Sequence, residues 1–333
     1  MAIEIGMIGA GEIARTHAEI LSADSRVRIG MVFDERPERA EALAAQHGAR
    51  WASSLDELLE KSNAVFICTP NTTHAGLALK SVAAGKHVFC EKPFALTLDS
   101  ARAVRDAALK AKVNFQVGHN RRFAPVYKIL KQAIREGRLL PLSVHAKMNR
   151  GELVHPPWVG DGKFTGGFLY ETPVHIFDLM RFFFGDVEWV QVAARAHQNE
   201  ELDDFSILLS FESGVQATLK TFAHASWHFP FERFEVYGHH STYETFEMER
   251  LAYTSSLSAE TVTLDYGLWS RNEKWGYSEQ DRLFVDALEG KGTCPVTCED
   301  GYRVVELIEA CYESARKKQM VRLDSAVEAG KID

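Results

Sequence analysis

A chain of 333 residues is too long for one ordinary core and of a size for two domains. With 46% hydrophobic and 25% charged residues it has the balance of a soluble globular protein, and a net charge of −8 argues against a nucleic-acid partner, which needs a basic face. Glu4 stands where a secretory leader would be basic, and Asp178 and Arg181 break an apolar run far short of the ~20 residues of a membrane span, so a cytoplasmic protein without membrane association is expected.

The first 120 residues alternate two periodicities. β-Branched or apolar runs at Ile3–Ile8, Val27–Phe33, 64–68, His87–Cys90 and 114–117 read as strands. Between them, residues 13–21, Pro37–Gln46, 55–60, 73–83 and 100–111 read as helices, with Pro37 in a first turn, Ser54 and Glu57 as a capping box, and Gly85 as a helix-ending glycine. Such alternation predicts a parallel sheet with helices on both faces, a Rossmann-like domain over residues 1–120.

After residue 120 the rhythm changes. A helix at 125–136 leads to a strand at 143–149, a Gly/Pro-rich loop and a helix at Val174–Phe184. Runs at 189–196, 205–211, 215–222 and 231–237 then follow without intervening helices and predict a mostly antiparallel, open-faced sheet. Late helices are expected at 279–288 and 299–314, capped by Ser278/Asp281 and Thr297/Asp300. Residues 121–333 are thus expected to form an α+β substrate-binding and oligomerisation domain. Its aromatic strand residues (Phe205, Phe211, Phe222, Phe229, Phe231, Phe234) suggest a face covered by a second subunit, with coverage by the chain's own helices as the alternative. The five cysteines, Cys68, Cys90, Cys294, Cys298 and Cys311, have neither framework nor zinc spacing and read as packed, reduced thiols.

Gly9-x-Gly11-x-x-Ala14 follows the first strand and opens a helix. One glycine permits the turn, the second lets backbone approach a pyrophosphate, and the small third residue lets helix pack on strand. Glu12 and Ile13 supply first-turn N–H groups. Asp34 ends the second strand, where an acid bonds adenosine ribose hydroxyls; its carboxylate would repel a 2′-phosphate and so favours NAD over NADP, although Arg36 and Arg39 lie near. The alternative for Asp34 is to cap the Pro37 helix.

Four stretches together resemble the Gfo/Idh/MocA family of sugar and polyol oxidoreductases: Gly9–Ala14, Thr69-Pro70-Asn71-x-x-His74, Glu91-Lys92-Pro93, and Gly166-Gly167 followed by Glu171-x-x-x-His175-x-x-Asp178. The likeness spans essentially the whole chain. It implies a nicotinamide cofactor, NAD with NADP as the alternative, held by the Gly9 turn, Asp34, Thr69, Pro70, Asn71, His74, Glu91 and Lys92. It implies that Lys92 contacts the reacting hydroxyl or carbonyl and that His175 is the general acid/base, with the active site between the domains. It further implies that the position four residues before the histidine holds the second catalytic polar group, usually Asp within Asp-x-Gly-x-His; here it is Glu171, with Pro173 in place of the glycine. The resemblance also implies dimers or tetramers through the second sheet.

Oxidising an alcohol requires a proton acceptor within ~3 Å of the hydroxyl, beside the nicotinamide. A free lysine titrates near ~10.4 and a free histidine near ~6.5, which favours His175 as acceptor and charged Lys92 as positioner and oxyanion stabiliser. Substrate hydroxyls or a carboxylate would find donors in His119, Asn120 and Arg121, and Trp158 in the glycine loop suits sugar stacking. Each has a bland alternative: Lys92 as a solvated loop lysine, His175 as a core histidine, Glu171 as a cap, Arg121 and Arg122 as hinge cations. Asp178 would orient His175 or pair with Arg181. Glu171, His175 and Asp178 also invite a metal reading, but no further ligand has suitable spacing and no metal is expected. The expected activity is hydride transfer between nicotinamide and a secondary hydroxyl of a sugar, cyclitol or sugar derivative. NAD-dependent glycoside cleavage through transient oxidation, or a non-catalytic dinucleotide-binding regulator, are the alternatives.

Overall fold

The computed structural model describes residues 2–153, 159–198, 201–226 and 230–323. The chain forms two compact units, residues 1–120 with 276–305, and residues 121–275 with 306–333.

In the first unit, β1 (Ile3–Ile8), β2 (Val27–Phe33), β3 (Arg50–Trp51), β4 (Ala64–Ile67), β5 (His87–Cys90) and β6 (Phe115–Val117) form one parallel sheet, ordered β3-β2-β1-β4-β5-β6. The central strands β4 and β5 are almost entirely buried, as parallel strands covered on both faces must be. The connecting helices are α1 (Glu12–Ser22), α2 (Pro37–Gln46), α3 (Leu55–Lys61), α4 (Asn71–Ala83) and α5 (Leu98–Ala111). Pro37 is in the first turn of α2, and Gly85 follows α4 with φ +70°. Ser54 caps α3, but the return bonds from Glu57 go to the backbone and hydroxyl of Ser53.

The sequence-based division at residue 120 leaves one segment on the wrong side. Phe284, Val285, Ala287 and Cys294 belong to the same buried cluster as Ile5, Met7, Ala14 and Ala18, so residues 276–305 complete the first unit. Phe66 and Phe89 stack at 4.5 Å, and Phe284 meets both edge-on at 5.5 and 5.7 Å.

The second unit holds α6 (Pro125–Arg135), α7 (Gly162–Thr165), α8 (Phe168–Glu171), α9 (Val174–Phe184) and α10 (Arg271–Lys274). α11 (Tyr277–Leu288) belongs to the first unit, and α12 (Cys298–Lys317) begins in the first and ends in the second. The second sheet contains β7 (Ser143–Met148), β8 (Val187–Arg195), β9 (Asp204–Phe211), β10 (Gln216–Phe222), β11 (Glu232–Gly238), β12 (Ser241–Phe246), β13 (Arg250–Thr254), β14 (Val262–Asp265) and β15 (Val321–Arg322). Their order is β14-β13-β12-β11-β7-β10-β9-β8-β15, and every pairing is antiparallel except β7 with β10. The polar strands β12 to β14 were not expected, because Thr, Glu and Arg dominate their outward positions.

The aromatic face does not wait for a partner. Phe205, Phe211 and Phe234 are buried by the unit's own helices: Phe184 meets Phe211 and Phe234 at 5.5 and 6.1 Å, and Tyr312 meets Phe205 at 5.7 Å. Phe222 and Phe231 are half-buried, and Phe229 lies outside the described residues. The opposite face carries polar residues such as His145 and Thr218, hydrogen-bonded at 2.8 Å, with Leu208 exposed among them. No described helix is long and apolar enough to cross a membrane.

Phe284→Ala tests the discontinuous unit. It is expected to cost ~3–5 kcal/mol and to weaken hydrogen-exchange protection in β1 and β4 while leaving β9 and β10 unchanged. Equal loss in both sheets would contradict that assignment.

Candidate active site

In the first unit, Gly9 turns the chain at φ +97°, where a Cβ would lie 2.5 Å from the Cys68 carbonyl oxygen, so only glycine fits. Its N–H donates to the Phe33 carbonyl at 2.7 Å. At Gly11 a Cβ would meet no protein atom within 4 Å, so close packing within the chain does not demand this glycine. What a side chain would obstruct is an approach to the start of α1, which no side chain caps. Ala14 is fully buried against the sheet. This is the cradle a dinucleotide pyrophosphate requires, and NAD fits the residues present. Glu12 is exposed and Ile13 half-buried in the opening turn.

Asp34 holds this turn from behind. Its Oδ2 accepts the Ala10 N–H at 2.8 Å and its Oδ1 the Arg36 N–H at 2.9 Å. It does not cap α2, whose N-cap is Arg36.

The next loop begins α4 at Asn71, after Thr69 and Pro70. Thr73 ties the loop together, its hydroxyl 2.7 Å from that of Thr69 and 2.8 Å from the Pro70 carbonyl. His74 was expected to serve the cofactor; it is buried, with Nδ1 2.7 Å from the Pro93 carbonyl and Nε2 2.7 Å from that of Thr69. Burial pushes its pKa down, against the pull of the two carbonyls. Its place is to lock one loop to the next.

Glu91 is also committed within the fold. Its Oε1 lies 3.1 Å from His17 Nε2, and its Oε2 accepts the Lys92 N–H at 3.2 Å. Nδ1 of the same imidazole is 2.7 Å from Asp281 Oδ2. His17 has no exposed surface, and its ring lies against Phe89 and Phe66. Burial works against an imidazolium here, but Asp281 and then Glu91 outweigh it and lift His17 to about 10. Burial likewise pushes Glu91 up, and His17 holds it below the ordinary carboxylate value. At Gly118 a Cβ would come within 2.8 Å of Glu91 Oε1, so this glycine makes room for the carboxylate. Lys92 itself is half-buried and precedes a cis Lys92–Pro93 bond. Asp281 does not pair with Ser278 as a cap; α11 starts earlier, at Tyr277 with Gly276 as its N-cap, and turns Asp281 inward. Thr297 and Asp300 do form their reciprocal cap, with bonds of 2.8 and 3.2 Å.

His119 and Asn120 are 1% exposed, and so are sunk in the fold rather than presented as open donors. Arg121 and Arg122 are not simple hinge cations. In the second unit, Arg121 Nε donates to Glu232 at 2.7 Å, and the Tyr127 hydroxyl donates to the other oxygen of that carboxylate at 2.5 Å. Arg122 grips Asp178 through two bonds of 2.8 and 2.6 Å. Asp178 therefore anchors Arg122, while Arg181 bonds Asp186. Both pairs are buried, and breaking one would leave an uncompensated charge.

His175 is 8% exposed, in the first turn of α9. The N-cap of α9 is Pro173 without a side-chain cap, so Glu171 does not serve there. Glu171 ends α8 and accepts from Arg150 at 3.1 Å; the same nitrogen donates to Thr172 Oγ1 at 3.1 Å. Arg150, just beyond β7, had no sequence signal beyond its place before the glycine loop. Gly166 and Gly167 turn at φ +85° and +102°, and a Cβ on Gly167 would run into the Tyr312 hydroxyl. Tyr312 accepts the Leu169 N–H at 3.1 Å, and Tyr170 donates to Glu309 at 2.7 Å, so α12 clamps this segment. Trp158 lies outside the described residues. Among the described residues no three His, Cys, Asp or Glu groups are arranged to hold a metal ion.

Two family descriptions match the chain in succession: an oxidoreductase family NAD-binding Rossmann fold over residues 3–119, and the C-terminal alpha/beta domain of the same family over residues 131–323. The chain belongs to the Gfo/Idh/MocA oxidoreductase family. Among relatives in this family, it is 29% identical over 340 residues to the inositol 2-dehydrogenase of Rhizobium meliloti (strain 1021), covering 97% of this chain and 100% of the relative. Among solved structures, GenD2 from gentamicin A biosynthesis, in complex with NAD, is 25% identical with a TM-score of 0.80, covering 97% of each chain. A levoglucosan dehydrogenase in complex with NADH and levoglucosan, 21% identical, shares the fold with a TM-score of 0.90 over 97% of this chain and 100% of its own.

The charge state of His17 has a measurable consequence. Because its value is raised from 6.5 to about 10, the stabilisation from its protonation is complete below pH 6.5 and fades as pH rises through 10. Hydrogen-exchange protection in β1 and β4 is expected to fall from neutrality to pH 10, and His17→Asn to flatten that fall. Protection that stays constant across this window would show that His17 is not cationic.

Proposed function

We propose that the protein is an NAD-dependent dehydrogenase of a secondary hydroxyl on a cyclitol or related sugar, with Lys92 and His175 as its catalytic residues. The observation that carries this reading is that the cofactor turn and the Glu91-Lys92-Pro93 turn belong to one compact unit, joined through His17 on α1 and Glu91, with Lys92 left half-buried at the carboxyl end of β5. That end of a doubly wound sheet is where ligands bind. The cyclitol class follows from the full-length similarity to an inositol 2-dehydrogenase.

NAD, when bound, supplies the hydride acceptor at C4 of its nicotinamide. The Lys92 ammonium binds the reacting oxygen and stabilises the negative charge that grows on it as its proton leaves. His175 takes that proton on its imidazole. Glu171, oriented by Arg150, is the second polar group of the catalytic set. Asp34 combines two tasks, fixing the Gly9 turn and accepting from ribose hydroxyls. His119 and Asn120 are proposed as buried residues of the substrate pocket, and the Arg121 side chain is held within the fold by Glu232.

We infer a homodimer or homotetramer joined through the exposed face of the second sheet, where Leu208 stands among polar side chains. A cytoplasmic setting is consistent with five buried, unpaired cysteines.

A panel of inositols, aldoses, aminosugars and sugar acids, followed by absorbance for NADH and NADPH, tests the assignment. Turnover of a cyclitol or sugar with NAD is expected, and His175→Ala and Lys92→Gln are each expected to lower kcat by ~10²–10⁴-fold. Wild-type rates in His175→Ala would remove it as proton acceptor. Release of a leaving group without net NADH would favour glycoside cleavage, and dinucleotide binding with no turnover on the whole panel would favour a regulator.

Asp34→Ala is expected to weaken NAD affinity by ~10-fold and to narrow the preference over NADP, measured by quenching of bound NADH and NADPH fluorescence. An unchanged ratio of the two affinities would count against a ribose contact.

A further inference from the structure

We propose that His17 is a positioning residue for Lys92: by bridging Asp281 and Glu91 inside the first unit, it fixes the turn that presents the lysine. The inference rests on the reading of Lys92 as the residue that holds the reacting oxygen.

The two ring nitrogens of His17 are occupied on opposite sides, by Asp281 Oδ2 at 2.7 Å and by Glu91 Oε1 at 3.1 Å. The second oxygen of Glu91 accepts the N–H of Lys92 at 3.2 Å. The relay therefore ends on the peptide that sets the direction of the lysine side chain. The far side of the turn is also held, because His74 lies 2.7 Å from the Pro93 carbonyl. Lys92 thus stands between two residues fixed by buried histidines, and Gly118 supplies the space Glu91 needs.

Stability alone does not account for this arrangement. Three buried ionisable groups carry a desolvation cost that a well-packed apolar cluster of similar volume avoids. Phe66 and Phe89 already pack against the ring, and Phe284 extends the apolar cluster by meeting both edge-on. What the polar relay adds is direction: it limits the rotation of Glu91 and so the orientation of the Lys92 peptide. His17 is also on α1, the helix that opens at Gly11, so the relay ties the lysine turn to the helix that receives the cofactor phosphates. Rate depends steeply on such placement, because small displacements of a reacting group cost orders of magnitude.

The test is a double-mutant cycle between His17 and Lys92, run with NAD and the panel compound that the unaltered enzyme turns over fastest. His17→Asn is expected to lower kcat by ~10–100-fold while the dissociation constant for NADH, read by fluorescence, stays within ~2-fold. In the Lys92→Gln background the same substitution is expected to change the residual rate by less than ~3-fold, since its effect passes through the lysine. A loss of equal size in both backgrounds would show a general structural role and overturn the proposal, as would a wild-type kcat in His17→Asn. Where His17→Asn does not fold, Asp281→Asn decides by the same comparison, with an expected loss of ~3–10-fold confined to the Lys92 background. If Lys92→Gln itself keeps wild-type turnover, the assignment of Lys92 fails first, and the relay has nothing to position.

Discussion

A charge cannot be left alone in a protein core, and the first unit is organised around one that is not. His17 is sealed among Phe66, Phe89 and Tyr277, where an isolated imidazolium would be costly, yet two carboxylates meet its ring nitrogens. Once that cation is accepted, the rest follows from it. Glu91 must point inward, Gly118 must lack a side chain, and Asp281 must arrive from α11. Helix, strand end and late helix are thereby held at a common point, and the half-buried Lys92 is carried on it.

The second unit solves a similar problem twice within two residues. Arg121 and Arg122 leave the first sheet and immediately enter separate buried pairs, with Glu232 on β11 and Asp178 on α9. Tyr127 completes the first pair, and the Phe182 ring lies 5.0 Å from the Arg122 guanidinium. Such pairs specify geometry more than they add stability. Here they set the path of the chain as it enters the second unit and fix the helix that carries His175. Arg150 does comparable work for Glu171, and Tyr312 for the glycine pair before it.

Short-range features were legible in the sequence. The alternation of strand and helix, the Gly9 turn, the C′ position of Gly85 and the Thr297/Asp300 cap each depend on residues within a few positions of one another, where spacing carries the information. The long-range partners were not. Asp281 is 264 positions from His17, and nearby Ser278 offered it a plausible local use as a cap. Arg121 looked like an open donor because its acceptor, Glu232, is 111 positions away on a strand of otherwise ordinary alternation. The aromatic strands misled for a related reason: periodicity says that a face is buried, but not by what. The buried faces of Phe211 and Phe234 are covered by Phe184, contributed by α9 of the same unit.

The discontinuity of the first unit bears on the order in which the protein is made. A ribosome that has released residues 1–120 has delivered all six strands of the parallel sheet but neither Phe284 nor Asp281. At that stage the Phe66–Phe89 stack lacks its third ring and His17 lacks one of its two counter-charges. The segment that supplies both is synthesised only after the whole of 121–275. A fragment ending near residue 120 would hold the dinucleotide motif intact in sequence and still lack the segment that stabilises it.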